Sequence, residues 1–308
     1  MRSLPFSQPG SFYRGNLHLH STNSDGTRPP ADTLQAYRDR GYDFVSLTDH
    51  FLPKDDVAPT VSETTDLRTP EFTTILGAEV HGPGMENGEL WHLVANGLPA
   101  DFAWQDRSET GPELAARAKA AGAHVSIAHP HWNAVTLADA ATLLDSVDAV
   151  EVYNHGCEVE VDRGESWHFA DLLLQAGHRL RAIATDDAHF NYPGSPEHDA
   201  FGGWVMVKAE ALTPEALLAA LKAEHSYSST GAELHDIRVE GGDLHIACSP
   251  TYAIVVSGVG SRSKRVVPGP VEVGVVSLDP FREAGWCRVT VMGMNGSRAW
   301  SNPIWLDS

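Results

Sequence analysis

Short apolar segments alternate with segments of helical periodicity between about residue 14 and about residue 231. The apolar segments predict buried strands, and the segments between them, several of which begin with proline and end before glycine, predict helices. Because buried strands that alternate with helices form parallel sheets, the seven or eight units in this chain predict an α/β barrel. The predicted strands are 16–20, 44–48, 75–80, 91–95, 124–128, 149–153, 180–185 and 204–207. The predicted helices are 31–40, 113–121, 136–144, 165–176 and 214–224.

From about residue 232 onward the pattern changes to short stretches in which apolar and polar residues alternate. Gly-Gly, Ser-Pro and Asn-Gly pairs separate these stretches and are typical of turns between antiparallel strands. The pattern predicts a small antiparallel, sandwich-like β module with strands at 235–239, 244–248, 253–256, 271–276, 287–292 and 300–305. We therefore expect two parts, a barrel at residues 14–231 and a C-terminal β module at residues 232–308 that caps it.

Composition and charge restrict the location and the partners of such a protein. The 308 residues are 42% hydrophobic, yet no apolar run is long enough to span a bilayer. The first residues lack the apolar segment of a signal peptide, and the three cysteines lie far apart, as is typical of reduced thiols, so we expect a cytoplasmic protein. The formal charge of −19 argues against a nucleic acid polymer as partner. It is compatible with a small anionic substrate, because bound cations reverse the local charge.

Histidine and carboxylate side chains recur where the predicted strands end. His18 and His20 are two positions apart, so on a strand their side chains point to the same face and could hold one ion. In barrel enzymes the active site lies at the carboxyl ends of the strands, so these side chains are expected to meet there. The candidate metal ligands are His18, His20, Asp25, His50, Glu79, His92, His129, Asp187 and His189.

These candidates offer nitrogen and carboxylate donors without a thiolate, which suits zinc, manganese or iron. One ion takes three or four protein ligands, so nine candidates imply two or three divalent ions that share a bridging carboxylate. Ions about 4 Å apart would hold a substrate oxygen and a hydroxide for in-line displacement. The pattern therefore predicts a metal-dependent hydrolase that acts on a small-molecule ester.

The order of these motifs over about residues 15–190 resembles the polymerase and histidinol phosphatase (PHP) superfamily. The motifs that carry the resemblance are His18-x-His20, Ser24-Asp25-Gly26, Thr48-Asp49-His50, Gly77-x-Glu79, His92, Ala128-His129-Pro130 and Asp187-x-His189. Residues 225–231 and 297–304 resemble the CehA/McbA-like metallohydrolases of that superfamily. The resemblance implies a distorted (β/α)7 TIM-like barrel with two or three metal ions and a metal-dependent phosphoesterase activity.

The resemblance also implies a role for each candidate ligand. It implies three ions, the first two of which are bridged by Glu79. The other ligands of the first ion are His18, His20 and Asp187, and those of the second are His92 and His129. The third ion is bound by Asp25, His50 and His189. Asp186 stands where many relatives carry a small residue, so it either accepts hydrogen bonds behind the ligands or competes with Asp187. We favour Asp187 as the ligand, because it keeps the Asp-x-His spacing with His189.

Five further side chains lie close to these motifs in the sequence. Asp49 is expected to accept a hydrogen bond from a ligand imidazole, and Glu151 to face the barrel interior and orient a histidine. His131 and His155 are the candidate catalytic acids that protonate the leaving group, although either could instead only hydrogen-bond to the backbone. His81 is expected to be a neighbour of the site and not a ligand.

The preferred substrate is a small phosphomonoester or phosphodiester, because phosphate chemistry is commonest in the family that the chain resembles. The basic residues near the motifs are Arg28, Lys54 and Arg163, and they form no recognisable arginine fork for phosphate. Carbamate or carboxylic ester hydrolysis on the same metal site is therefore the alternative. An amidohydrolase would need a lysine at a strand end, and the predicted strands end in none. A non-catalytic metal-binding module is disfavoured because all nine positions carry ligand-competent residues.

Overall fold

The computed structural model of the chain describes residues 4–54, 57–104 and 108–306. Through residue 229 the chain consists of strands with helices between several of them, as the hydrophobic pattern predicts. The strands of this part are β1 (Ser11–Asn16), β2 (Phe44–Leu47), β3 (Thr73–Gly82), β4 (Trp91–Asn96), β5 (His124–Ile127), β6 (Ala149–Asn154), β7 (Arg181–Thr185), β8 (Trp204–Ala209) and β9 (Ser226–Ser229). Its helices are α1 (Pro30–Asp39), α2 (Gly111–Ala120), α3 (Leu137–Ala141), α4 (His155–Val161), α5 (Trp167–Gln175) and α6 (Pro214–Lys222).

The remainder of the chain is built mostly of antiparallel strands, which agrees with the alternating pattern there. These strands are β10 (Leu234–Glu240), β11 (Asp243–Ser257), β12 (Ser263–Val266), β13 (Val271–Ser277), β14 (Trp286–Gly293), β15 (Arg298–Ser301) and β16 (Ile304–Trp305), with the short helix α7 (Asp279–Arg282) before β14. The predicted strands at 244–248 and 253–256 form the single long strand β11. It can be continuous because β13 and then β14 pair along successive parts of it.

The sheet of the first part is mixed, although the sequence predicts a parallel one. β1, β2 and β3 are parallel, and so are β5, β6 and β7. β4 runs antiparallel to β3 and to β5, because β3 and β4 form a hairpin in which His81 lies opposite His92. The hydrophobic pattern of a buried strand carries no information about strand direction, so only the pairing shows this reversal.

A closed barrel is not confirmed. The described strands form one 16-stranded sheet, whose main path runs β10-β11-β14-β15-β9-β8-β1-β2-β3-β4-β5-β6-β7. β7 is the last strand of this path and forms no ladder with β1 in the described ranges. The segments that follow β1 and β7 nevertheless meet through an isolated parallel bridge between Leu19 and Ala188. The N–H groups of His20 and Asp187 donate to the carbonyl oxygens of Ala188 and His18 at 2.9 and 2.8 Å.

The first strand is displaced from its predicted position. β1 ends at Asn16, so His18 and His20 lie beyond the strand that the sequence predicts at 16–20. The strand begins earlier because residues 11–15 pair antiparallel with β8, from Ser11 opposite Ala209 onward. That contact joins segments almost 200 residues apart and leaves no local signal in the sequence. Helix α4, strand β9, strand β12 and a short 3-10 helix at Thr65–Leu67 were also not predicted.

The C-terminal strands continue the sheet of the first part. β15 pairs with β9, so the chain is joined by main-chain hydrogen bonds across the predicted boundary at residues 231 and 232. Arg288 of β14 forms a bidentate ion pair with Asp171 of α5, in which Nε and Nη2 lie 2.9 and 2.8 Å from the two carboxylate oxygens. Its guanidinium group also stacks on the Trp167 ring. The division into two parts stays a prediction. No helix in the described ranges is both long and apolar enough to cross a membrane.

Candidate metal centre

The nine candidate ligands gather at one edge of the sheet. Most of them lie at or just beyond the carboxyl ends of parallel strands, where the loops after β1, β2, β5 and β7 leave the sheet. His92 lies instead at the start of β4, but β4 is antiparallel to its neighbours, so its first residues reach the same edge. Donor atoms within 4.8 Å of one another form five groups: His20, Asp25, His50 and His189; His18, His20 and Glu79; His18, His129 and Asp187; His50, Glu79 and His81; and Glu79, His92 and His129.

Glu79 is the centre of the arrangement. Its carboxylate is fully buried and surrounded by imidazoles. Oε1 lies 2.8 Å from His92 Nδ1 and 3.3 Å from His129 Nε2. Oε2 lies 2.6 Å from His50 Nδ1 and 3.6 Å from His18 Nε2. Each oxygen therefore faces a different set of nitrogen donors, as a carboxylate that bridges two cations would.

Asp187 lies on the buried side of the site, where it forms the inner cluster together with His18, His20 and Glu79. Its Oδ1 lies 2.9 Å from His20 Nε2 and 3.1 Å from His18 Nε2, and its Oδ2 lies 3.7 Å from His129 Nε2. Asp187 and His129 both have positive φ angles, of 57° and 25°, which non-glycine residues rarely adopt. Backbone in this conformation costs free energy and persists only where the surrounding structure holds it in place.

Asp25 forms an outer group with three histidines. Its Oδ1 lies 3.3 Å from His189 Nε2, its Oδ2 lies 3.3 Å from His50 Nε2, and His20 Nδ1 is 4.0 Å away. The carboxyl group is about half exposed. His20 thus contributes one nitrogen to the inner cluster and the other to the outer group, whereas the sequence resemblance placed it in the inner group alone.

The charges in the cluster depend strongly on one another. Burial lowers the pKa of His50, but the Glu79 and Asp25 carboxylates outweigh it and raise that pKa to about 11. The pKa of His189 rises to about 9, because Asp25 and Asp187 outweigh its burial. Burial and the neighbouring imidazoles lower the pKa of His20 to about 4. The carboxylates therefore create a site that favours bound positive charge.

The donor atoms fit divalent cations. His18 Nε2 and Glu79 Oε2 are buried and have no hydrogen-bond partner in the described part of the chain. His50 Nδ1 also makes no hydrogen bond there, although it lies 2.6 Å from Glu79 Oε2, because the two groups are not aligned for one. Buried polar atoms without partners are costly, and nitrogen and carboxylate donors that converge are what zinc, manganese and iron prefer.

Glu151 orients His18, as the sequence indicates. Its Oε1 lies 2.7 Å from His18 Nδ1 and accepts a hydrogen bond from the Thr185 hydroxyl, and its Oε2 accepts from the backbone N–H of His129. Although burial opposes it, the His18 charge holds the pKa of Glu151 below its usual value. The Nδ1 proton of His18 is thereby directed to Glu151, and Nε2 is left to face the cluster.

Replacing Glu151 with glutamine is expected to weaken metal binding about 10- to 100-fold, because the carboxylate that fixes the His18 tautomer is lost. The measurement is metal affinity by competition with a coloured chelator. Glu71→Gln removes an exposed carboxylate just before β3 and is the matched control. Unchanged affinity in Glu151→Gln would show that the contact is only structural.

Asp49 does not contact a ligand imidazole directly, contrary to expectation. Its carboxylate accepts hydrogen bonds from the hydroxyls of Ser21, Ser24 and Ser62 and from the backbone N–H of Ser21. Ser24 Oγ in turn lies 3.4 Å from His20 Nδ1. Asp49 therefore acts on His20 through a serine and holds the loop that carries Asp25.

Asp186 points away from the cluster, which distinguishes it from Asp187. Its carboxylate accepts five hydrogen bonds, at 2.7 or 2.8 Å, from Asn16 Nδ2, the Tyr37 hydroxyl and the backbone N–H groups of residues 201–203. Burial raises its pKa to about 7, although every one of these donors favours the ionised form. Asp186 ties β1, α1 and the 201–203 loop together behind the ligands.

The two candidate catalytic acids lie outside the cleft. A cavity of about 270 Å³ opens onto the cluster, and neither His131 nor His155 lines it. His131 Nδ1 lies 3.2 Å from the Glu165 carbonyl oxygen, and His131 lines a separate cavity. The His155 ring lies between the Tyr153 hydroxyl and the His198 carbonyl oxygen, each 3.1 Å away. Their positions do not support proton donation to a substrate in the cleft.

The sequence analysis missed four residues that line the cleft, namely Trp132, Cys157, Glu160 and Asn191. His81, which was expected beside the site, places its Nε2 atom 3.6 Å from Glu79 Oε2. His81 follows Glu79 by two positions on β3, so strand periodicity alone could have placed it on the same face. Cys157 and Glu160 belong to α4, a helix without a clear sequence signal, so nothing in the pattern pointed to them.

Comparison with solved structures shows the fold. The chain aligns over 99% of its length with 99% of a two-domain protein of Bacteroides vulgatus that contains a predicted PHP-like metal-dependent phosphoesterase, with a TM-score of 0.55 and 16% identity. A putative metal-dependent phosphoesterase of Bifidobacterium adolescentis aligns over 59% of this chain and 89% of its own, with a TM-score of 0.42 and 15% identity. An amidohydrolase of Chromobacterium violaceum aligns over 57% of this chain and 87% of its own, with a TM-score of 0.40 and 14% identity.

The sequence matches no protein-family model. It also matches no curated protein. The fold is thus shared with a PHP-like protein over both the α/β part and the C-terminal strands. The narrower resemblance to the CehA/McbA branch stays a prediction.

Proposed function

We propose that the protein is a metal-dependent hydrolase of the PHP type, with phosphoesterase activity on a small phosphomonoester or phosphodiester. The observation that carries the proposal is the buried Glu79 carboxylate, which faces imidazole nitrogens on both oxygens. The PHP-like fold agrees with it. A structural metal site would need only one closed set of ligands, whereas this cluster opens onto a cavity large enough for a small molecule.

The side chains can be assigned to two or three divalent ions. Glu79, His92 and His129 form one candidate set. His18, His20 and Asp187 form a second beside the other Glu79 oxygen. Asp25, His50 and His189, with the second nitrogen of His20, form a third on the outer side. Zinc, manganese or iron in these sets would activate water and neutralise negative charge that develops on the substrate. All nine candidate ligands of the sequence analysis are used.

The other residues keep the ligands in place. Asn154 Nδ2 donates to Asp187 Oδ2 and to Glu151 Oε2, both at 3.1 Å, and so connects two groups that face His18. Asp186, the residue before Asp187, accepts a hydrogen bond from Asn16 and so holds this loop in place. Asp49 accepts a hydrogen bond from Ser24 and so holds the loop that leads to Asp25. Rigid ligands of this kind lower the reorganisation that the reaction requires.

Carbamate or carboxylic ester hydrolysis on the same site is the second candidate. In the described part of the chain, no lysine or arginine lines the cleft, although phosphate sites commonly use an arginine fork. A phosphate dianion would therefore depend on the metal ions for charge compensation. A neutral ester would not need that compensation, and this is the observation that favours the alternative.

Metal analysis and a substrate panel test both candidates. Protein purified without chelator is expected to contain two or three divalent ions per chain and to hydrolyse p-nitrophenyl phosphate or bis-p-nitrophenyl phosphate. Asp187→Asn should abolish turnover, because Asp187 faces His18 and His20, and Asp101→Asn at an exposed turn is the matched control. Turnover of aryl esters or carbamates alone would establish the alternative. Less than one ion per chain would contradict the metal assignment itself.

A further inference from the structure

We propose that Glu160 is the acid that donates a proton to the leaving oxygen of the substrate. The inference rests on the proposed hydrolase function. It adds a catalytic residue from α4, which neither the sequence motifs nor the metal ligands include.

Helix α4 is held directly against the ligands. The backbone N–H of Gly156 donates to the carbonyl oxygen of Asp186 at 2.7 Å. The Asn154 side chain accepts from the N–H of Cys157 at 2.9 Å and donates to Asp187 at 3.1 Å. The start of α4 is therefore fixed to the loop that carries Asp187 and to the residue itself.

Periodicity directs Glu160 into the cleft. Residues 156, 157 and 160 share one face of α4, since positions three and four apart lie together on a helix. All three line the cavity that opens onto the cluster. Gly156 permits the close approach, because a Cβ atom there would lie 3.0 Å from the Asp186 carbonyl oxygen and 3.1 Å from that of Asp187.

Glu160 is also the suitable acid among the described residues that line the cleft. Besides the candidate ligands, these residues are Trp132, Gly156, Cys157, Glu160 and Asn191. Tryptophan, glycine and asparagine side chains cannot supply a proton at neutral pH. Burial raises the pKa of the Cys157 thiol far above its usual value, so that thiol holds its proton. The Glu160 carboxyl group is therefore the remaining proton donor among these residues.

The surroundings of Glu160 agree with this role. Within the described ranges, no lysine or arginine forms an ion pair with its carboxylate, so no fixed cation holds it ionised. The Glu160 side chain is exposed, and its partial burial raises its pKa. The His189 charge opposes this rise, and the Asp187 and Asp199 carboxylates add to it. Carboxyl groups with a raised pKa are typical of general acids that work near neutral pH.

The reaction step balances without a further reactant. A water oxygen forms a bond to phosphorus, or to the carbonyl carbon of the alternative ester. The bond from that atom to the leaving oxygen breaks, and its electron pair goes to the leaving oxygen. The Glu160 carboxyl proton transfers to that oxygen, and the carboxylate later regains a proton from the attacking water.

A leaving-group comparison tests the proposal. Glu160→Gln is assayed with p-nitrophenyl phosphate, whose leaving group departs without protonation, and with glycerol phosphate, whose alkoxide needs a proton. The same comparison is made with p-nitrophenyl acetate and ethyl acetate. We expect the variant to lose about 100-fold or more in kcat on the alkyl substrate and less than about threefold on the p-nitrophenyl substrate. Metal content should be unchanged.

Glu158→Gln is the matched control, because Glu158 lies on the same helix but does not line the cleft and accepts a hydrogen bond from the N–H of Gly164. Equal losses on both substrates, or no loss on the alkyl substrate, would overturn the role of Glu160 while leaving the hydrolase function intact. Absence of turnover in the wild-type protein on these four substrates, on bis-p-nitrophenyl phosphate and on aryl carbamates would overturn the hydrolase function, and the role of Glu160 with it.

Discussion

Glu79→Gln is expected to remove at least one divalent ion per chain and to lower turnover by more than about 100-fold. Residues that only orient a metal ligand typically contribute about 10- to 100-fold, and Glu79 contacts the ligands themselves. Its Oε1 lies 2.8 Å from His92 Nδ1, and its Oε2 lies 2.6 Å from His50 Nδ1. Glutamine keeps the size of the side chain but loses the negative charge and one of the two acceptor oxygens.

Metal content by elemental analysis and kcat on the best substrate of the panel are the two measurements. Glu71→Gln, an exposed carboxylate just before β3, is the control for the loss of one negative charge. A Glu79→Gln protein that keeps its full metal content and activity would exclude Glu79 as the bridging carboxylate. Thermal melting of the metal-free proteins separates this result from unfolding.

Asp186→Asn is expected to lower the free energy of unfolding by on the order of 3 kcal/mol, with a fall of roughly 5 °C or more in Tm. Five donors converge on a fully buried carboxylate, and the asparagine NH₂ group would face some of them with a donor. The loss is large because unpaired buried donors are costly.

Thermal melting in the presence of chelator measures this effect without a contribution from bound ions. Asp66→Asn, at an exposed position of the 3-10 turn after residue 64, is the control. Asp187→Asn offers an internal contrast, since it should affect metal content far more than the stability of the metal-free chain. An Asp186→Asn protein with unchanged Tm would show that the five contacts are not required for the fold.

The sequence predicted which candidate ligands come together better than it predicted the residues that hold them. His18, His20 and Glu79 were selected for their residue type and for their positions on predicted strands, and both properties can be recognised from local residues. The role of Asp49 was misjudged because its serine partners, Ser21, Ser24 and Ser62, come from two separate segments. A hydrogen bond between distant segments depends on the geometry of both, which no local pattern contains.

The two candidate acids show the same limit. His131 and His155 follow strands that end at the site, so proximity in sequence favoured them. The turn after His129 directs His131 to another cavity, and the His155 ring packs against Tyr153 and the carbonyl oxygen of His198. Glu160 enters the cleft instead, because α4 starts immediately after β6 and places Glu160 on the same face as Gly156 and Cys157.

The sequence by itself determined the mixed α/β character of the first part, the predominance of strands after residue 231 and the nine residues that are candidate ligands. These features follow from periodicity and residue type, which act over a few positions. The tertiary structure decided the reversed direction of β4 that brings His92 to the site, the bridge between Leu19 and Ala188, and the double contact of His20 with the inner and outer groups. The bridge and the double contact of His20 join segments far apart in the chain, and the direction of β4 follows from its pairing with β3 and β5. Periodicity and residue type carry no information about these pairings, so only the folded chain shows them.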